Sequence, residues 1–209
     1  MPKPTESVPS DAQKWDRKYQ GDAFFYGTQP NDYLRSALAR YPLCGEVLSL
    51  GEGEGRNALF LAQSGLTATA LDQSSVGLHK AQRLLAQHGL ALTPIVANLE
   101  DTALEDNRWD AIVLLWCHLP SAHRRPLHRS LARSLKPNGF VILECYRPEQ
   151  IALGTGGPQS TDLLPTLEEL REDFADLRLL DLAARTRDVL EGIGHHGTSA
   201  VLQCIAQKP

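Results

Sequence analysis

Residues 46–58 read EVLSLGEGEGRNA. The apolar run Val47-Leu48-Ser49-Leu50 is followed by glycine at every second position, Gly51, Gly53 and Gly55, and then directly by the helix-forming run RNALFLAQ. A strand that ends in three residues without side chains and hands over at once to a helix is the unit from which an open α/β sheet is built. Glycine tolerates φ > 0 and lets other atoms approach the main chain. The two acids between the glycines, Glu52 and Glu54, call for a separate explanation.

Downstream, the same alternation continues. TATALD (67–72) reads as a strand, SSVGLHKAQRLLAQHG (74–89) as a helix stopped by Gly89, and LTPIVAN (92–98) as a strand. WDAIVLLWC (109–117) is an almost wholly apolar strand, as expected where both faces are covered. SAHRRPLHRSLARSL (121–135) is a helix, and the turn PNG leads into the strand FVILECY (140–146). This rhythm predicts a three-layer αβα, doubly wound sheet with right-handed crossovers. The segment 147–166 is long and rich in Gly and Pro, a length at which loops tend to be functional. A helix over 167–176 follows. Then come LRLLDLAARTRDVLEG and TSAVLQCIAQ, read as an antiparallel closing pair at the sheet edge.

Upstream, residues 1–10 hold three prolines and read as a loose tail. A helix is expected from Asp11, with Asp11 as its cap and Trp15 and Tyr19 on one face at i, i+4. Asn31 is expected to cap the helix DYLRSALARY.

The 209 residues suit one domain with one core, so the whole of 1–209 is read as a unit. Apolar residues make up 42% and the formal charge is −4, which gives no electrostatic reason to expect nucleic acid or an anionic membrane as partner. No apolar run approaches the roughly 20 residues that span a bilayer, and the polar N-terminus is unlike a secretory signal. Cys44, Cys117, Cys145 and Cys204 form no C-x-x-C pair and read as reduced, mostly buried thiols of a cytoplasmic protein, without a zinc site.

Ligands of open α/β sheets bind at the carboxyl ends of strands, so the glycine turn predicts a nucleotide-like ligand above the first strand. A dinucleotide fingerprint is G-x-G-x-x-G and seats a pyrophosphate on a helix N-terminus. Here the spacing is G-x-G-x-G with carboxylates inserted, which would repel a pyrophosphate. They suit a ligand with a positive centre and an ammonium group. S-adenosylmethionine has both and carries no phosphate. Asp72, at the end of the second strand, can accept hydrogen bonds from both ribose hydroxyls, with Gln73 beside it. At the end of the third strand, Asn98, or else Glu100, is placed to read the adenine amino group, with the Leu99 main chain beside the ring.

With VLSLGEGEGRNALFLA, ALDQS, WDAIVLLWCHLP and LKPNGFVILE, the chain resembles the class I S-adenosylmethionine-dependent methyltransferases over residues 45–146. WDRKYQGDAFFYGTQPNDYL and the C-terminal strands widen the likeness. Its nearest resemblance is to small bacterial enzymes of the tellurite-resistance and thiopurine type. The resemblance implies a seven-stranded, mostly parallel sheet with the last strand antiparallel. It implies Gly51, Gly53 and Gly55 along the cofactor, Asp72 on the ribose and 98–99 at the adenine. An acid two residues before the first glycine is usual in this family; here Ser49 stands there. Glu52 is the candidate to replace it at the methionine ammonium.

Methyl transfer from a sulfonium needs alignment of nucleophile, methyl carbon and sulfur, and in some cases removal of a proton. His118 follows the fourth strand and is the candidate base, with an ordinary pKa of about 6.5. Cys117 is read as a packing thiol beneath the ligand. His123 and His128, with Arg124, Arg125 and Arg129, read as a basic solvated helix face. GIGHHG (192–197) places His195 and His196 in a glycine-flexed loop on the substrate side. Trp15, Tyr19 and Tyr26 offer faces for a sulfonium. The regions 1–35 and 147–166 are expected to act as lids that exclude water. The expected function is methyl transfer to a small-molecule acceptor. The alternatives are a non-catalytic S-adenosylmethionine-binding protein and an NAD(P)-dependent oxidoreductase, the latter disfavoured by the glycine spacing.

Overall fold

The chain is described from a computed structural model covering residues 10–209. The tail expected over 1–10 lies, apart from Ser10, outside the described residues. Strand β1 (Glu46–Leu50) pairs in parallel with β2 (Thr67–Asp72) on one side and with β4 (Trp109–Leu115) on the other. Beyond β2 lies β3 (Thr93–Val96), and beyond β4 lies β5 (Leu135–Tyr146), both parallel. β7 (His195–Gln207) inserts antiparallel between β5 and β6 (Arg178–Glu191), giving the order β3-β2-β1-β4-β5-β7-β6. The sheet is therefore seven-stranded and parallel except for its last strand. The closing pair is antiparallel as expected, but it is β6, not the final strand, that forms the edge.

Alternate residues of each strand serve opposite layers. Leu48, Leu50, Ile112 and Leu114 pack under α5 (Ser121–Ser134) and α7 (Leu167–Asp173), through Leu127, Leu131, Leu170 and Phe174. Val47, Ala111, Val113 and Leu115 meet α2 (Asp32–Arg40) and α3 (Arg56–Gln63), through Leu34, Ala37 and Leu61. α4 (Ser75–Gln87) leans on α3 through Leu84 and Leu85. Each fully buried leucine contributes about 1.5–3 kcal/mol of transfer free energy.

Helix α1 (Asp11–Lys18) is capped by Ser10, not by Asp11: Ser10 Oγ accepts from Gln13 N, and Gln13 Oε1 accepts from Ser10 N. A serine one residue upstream of an acid gives the reciprocal capping box and leaves Asp11 in the first turn. Asn31 caps α2 as expected, accepting from Leu34 N. A short helix, α6 (Gln150–Leu153), and one 3-10 turn interrupt the 147–166 segment. His195 and His196 open β7, because the hairpin turn closes over 192–194; they are strand residues rather than loop residues.

Candidate functional site

Strand order reverses between β1 and β4: connections on one side lead to β2 and β3, and on the other to β5. This switch point leaves a crevice at the carboxyl ends of the strands. It opens into a cavity of roughly 1070 Å³. Its floor holds Gly51, Glu52, Asp72 and Gln73, and one flank holds Ala97, Asn98, Leu99 and Glu100. Trp116, Cys117 and His118 lie at the β4 end, and Trp15, Lys18, Tyr19 and Tyr26 form the cover. Among the described residues, no group of three His, Cys, Asp or Glu is placed to hold a metal.

The two loop acids diverge. Glu52 turns back, taking the Ser49 hydroxyl on Oε2 and the amides of Asn57 (3.1 Å) and Ala58 (2.9 Å) on Oε1. It caps α3, whose N-cap residue Gly55 has no side chain to do so, and puts a carboxylate beside Ser49, where the usual acid is missing. Burial raises its pKa, and it forms no ion pair with any described residue. Glu54 is not part of the lining. It pairs with Lys80 at 2.5 Å and accepts Phe25 N at 2.7 Å. The expectation that both acids face a cationic ligand is corrected: Glu54 has its own cation.

The glycines diverge as well. Of the three in this turn, only Gly51 lines the cavity. Gly53 has φ +63°, and a Cβ there would stand 2.8 Å from the Tyr19 hydroxyl. Gly55 has φ +94°, and a Cβ there would stand 2.6 Å from Ala81 Cα of α4. Both are required for close packing against the protein itself, and neither lines the cavity, where the expectation put all three along the ligand.

Asp72 accepts Gly53 N and Ser74 N, each at 2.8 Å, one on each carboxylate oxygen, and retains a lone pair on each. Burial raises its pKa. Asn98 is exposed; its Oδ1 accepts Glu100 N at 3.2 Å and its amide is uncommitted. Burial pushes the Cys117 thiol up to about 12, so it is a packing group and no nucleophile. Cys44, unlike Cys145 and Cys204, is exposed.

His118 accepts the backbone N–H of Tyr146 on Nε2 at 3.1 Å and stacks on the Tyr146 ring. Burial, with His195 nearby, lowers its pKa to about 3. A neutral imidazole has one acceptor nitrogen, and here a backbone amide holds it. The reading of His118 as a base is corrected: it braces the end of β5. The basic face of α5 is corrected in part. His123 and Arg129 are exposed, but Arg124 and His128 are buried against Asp173, with Arg124 and Arg125 also on Glu169.

A buried polar network that no sequence motif signals crosses the far end of the cavity. Glu191 accepts from Arg56, from Trp116 Nε1 (2.5 Å) and from Asn31 Nδ2 (3.0 Å). Asn31 also donates to Glu144 (2.6 Å), which Arg187 holds with two bonds of 2.9 and 2.7 Å. These ties hold Trp116 at φ +60°, an unusual conformation for a bulky residue and of the kind stored at functional sites.

The cavity floor tests the fit of an adenosyl compound. Two buried carboxylates without cation partners among the described residues flank a main chain stripped of Cβ at Gly51. They suit hydroxyl and ammonium donors, and a pyrophosphate would face them uncompensated.

Comparison with known proteins agrees. Residues 47–139 match the family described as "Methyltransferase domain". The 2-heptyl-1-hydroxyquinolin-4(1H)-one methyltransferase of Mycobacteroides abscessus is 28% identical over 170 residues, covering 79% of this chain and 73% of its own. Over residues 47–139 the chain is thus similar to methyltransferase domains. Solved structures share the fold of this chain. One, reported for conversion of a disulfide bond into a thioacetal group during echinomycin biosynthesis, has a TM-score of 0.76 at 19% identity, covering 94% of this chain and 91% of that one. TehB from Haemophilus influenzae has a TM-score of 0.72 at 16% identity, covering 95% and 67%. Among the described residues, no helix is long and apolar enough to cross a membrane.

Proposed function

We propose that the protein binds S-adenosylmethionine on the cavity floor and methylates a small, flat acceptor entering from the Trp116–His195 end. The observation that carries the reading is the pair of unpaired buried carboxylates, Glu52 and Asp72, on either side of Gly51. Glu52 receives the ammonium, Asp72 the ribose hydroxyls, and Asn98 and Leu99 flank the adenine, with Gln73 and Cys117 completing the berth. When bound, the cofactor supplies an electrophilic methyl on a sulfonium. The chain's own part is to orient, to exclude water and to present the acceptor atom.

A small acceptor is favoured because Trp15, Phe25, Tyr26, Trp116 and Leu163 line the cavity and, among the described residues, Lys18 is the one Lys or Arg in that lining. The relative from Mycobacteroides abscessus, by its name, methylates a hydroxylated aromatic heterocycle, a flat body of this kind. The cover is in place: Asp16 accepts from Ser74 Oγ (2.6 Å), and Thr155 Oγ1 donates to Thr198 O (2.7 Å). The segments 10–35 and 147–166 act as lids around bound ligand. Limited proteolysis checks this; equal cleavage with and without S-adenosylmethionine refutes it.

The decisive test is calorimetry with S-adenosylmethionine, its demethylated product and NAD. Binding of the first two and not of NAD is expected. Binding of NAD alone would return the oxidoreductase reading. Turnover against thiols, phenols, amines and oxyanions then separates an enzyme from a silent binder.

A further inference from the structure

We propose that His195, oriented by Glu191, is the base that takes the proton from the acceptor, and that the acceptor is a planar aromatic compound bearing an acidic hydroxyl. This rests on the methyltransferase reading above.

His195 is the first residue of β7 and lines the cavity. Its ring lies against Tyr26 (4.7 Å between centroids), Trp116 (4.8 Å) and Tyr146 (5.3 Å, edge-on). Its Nδ1 is sealed from solvent, has no hydrogen-bond partner among the described residues, and lies 3.7 Å from Glu191 Oε2. That distance is too long for a formed bond and short enough for one to form by a small turn of the ring. Burial works against the Glu191 carboxylate, but His195 first and then Arg56 outweigh it and lower its pKa to about 2. A carboxylate facing Nδ1 selects the tautomer with hydrogen there and leaves the lone pair on Nε2. Nε2 accepts nothing from the described residues and, unlike Nδ1, is not sealed off. His118 offers the opposite case, its lone pair being spent on Tyr146 N.

The groups around His195 choose the acceptor. Glu191 faces it from β6, Arg56 from α3, Lys18 from α1, His118 from beyond β4, and Tyr26 and Tyr146 from the cover and β5. Arg56 is bound to Glu191. Lys18 lies in the lining, 4.2 Å over the Trp15 ring and 4.8 Å over Phe25, in no ion pair among the described residues. An acceptor arriving as an ammonium would meet this cation; one that becomes an anion is drawn to it. Burial keeps His195 neutral and a weak base, Glu191 offsetting only part of this. A weak base suits an acidic phenol-type or N-hydroxy group, and not an alcohol or amine. In the step, the acceptor's O–H bond breaks, the proton goes to Nε2, and the electron pair stays on oxygen. The charge pair becomes imidazolium and carboxylate, and the oxygen anion is left to meet the methyl group.

Para-nitrophenol tests the proton step without turnover, because its anion absorbs in the visible. At a pH just below that at which the free phenol ionises, wild-type protein should generate bound nitrophenolate. His195→Gln should lose that signal while binding S-adenosylmethionine as wild type does. Methylation of any phenol the wild type accepts should fall about 100-fold or more. Wild-type protein that leaves the probe un-ionised, bound or free, overturns the proposal, as does a His195→Gln variant that ionises it equally. Should that variant fail to fold, nitrogen NMR of isotope-labelled histidine in wild type reads the same event. One ring must become doubly protonated on adding the probe, and no change overturns the proposal. Ionisation of the probe without any S-adenosylmethionine binding would sink the methyltransferase reading and leave the proton step standing.

Discussion

Replacing Lys80 by methionine should damage the fold and the cover together. Lys80 and Glu54 are each 3% exposed and 2.5 Å apart. The same ammonium donates to Ala23 O at 2.6 Å and Tyr19 O at 3.2 Å, and Glu54 also holds Phe25 N. Methionine fills the space of the stem and removes the charge. It leaves a buried carboxylate and two carbonyls short of a donor. Breaking a buried pair from one side costs about 3–5 kcal/mol. At about 2–4 °C per kcal/mol for a chain of this size, the midpoint of thermal unfolding falls by roughly 6–20 °C. Adding Glu54→Gln should recover much of this, since an amide needs no cation and still accepts from Phe25 N. Urea unfolding of the wild type, the single and the double variant measures it, with tryptic cleavage at Arg17 and Lys18 as the readout of the cover. A single variant that loses less than about 1 kcal/mol, or a double variant no better than the single, would refute the reasoning.

Other outcomes follow from the same contacts. Glu52→Gln keeps an oxygen to cap α3 but loses the charge, so stability should hold while S-adenosylmethionine affinity falls by about 1.5–3 kcal/mol, roughly 10- to 150-fold in calorimetry; unchanged affinity removes Glu52 from the ammonium site. His118 is buried neutral, its folded pKa of about 3 lying below the ordinary 6.5, so the unfolded chain binds the extra proton first and stability drains as pH falls from 6.5 toward 3. Acid unfolding of His118→Asn should be flatter over that window. Glu191 adds a second loss, from its ordinary 4.5 down to about 2 and worth roughly 3 kcal/mol, which Glu191→Gln should abolish. Gly55→Ala should cost more than the roughly 1–2 kcal/mol of a left-handed alanine, because its methyl also meets Ala81; a smaller loss in urea denaturation would show that α3 and α4 separate easily.

What could be read in the sequence was local. The turn at Gly51, the acid ending β2 and the alternation of strands and helices are each written in a few consecutive residues, and the structure keeps them. The identity of what fills each glycine's space was not legible, because Tyr19 and Ala81 arrive from other elements. The same holds for the far end of the cavity. Asn31 meets Glu191 across 160 positions and Arg56 meets it across 135, and no spacing rule reaches so far. Arg124 and His128 looked solvated because the acids that bury them, Glu169 and Asp173, lie on a helix more than forty positions away. His118 drew attention by standing directly after a strand, whereas the amide that occupies its lone pair belongs to another strand.

β6 precedes β7 in the chain, yet its sole neighbour in the sheet is β7. On the ribosome, the first five strands can zip together as they emerge, while β6 must wait as an unpartnered ribbon until its successor slots in between. The half of the sheet from β1 to β5 is thus assembled early from nearby pieces, and the half holding Glu191 and His195 is sealed in one late, long-range event. A nascent chain stalled before residue 195 should already capture adenosine compounds weakly while exposing a sticky margin that chaperones would need to shield.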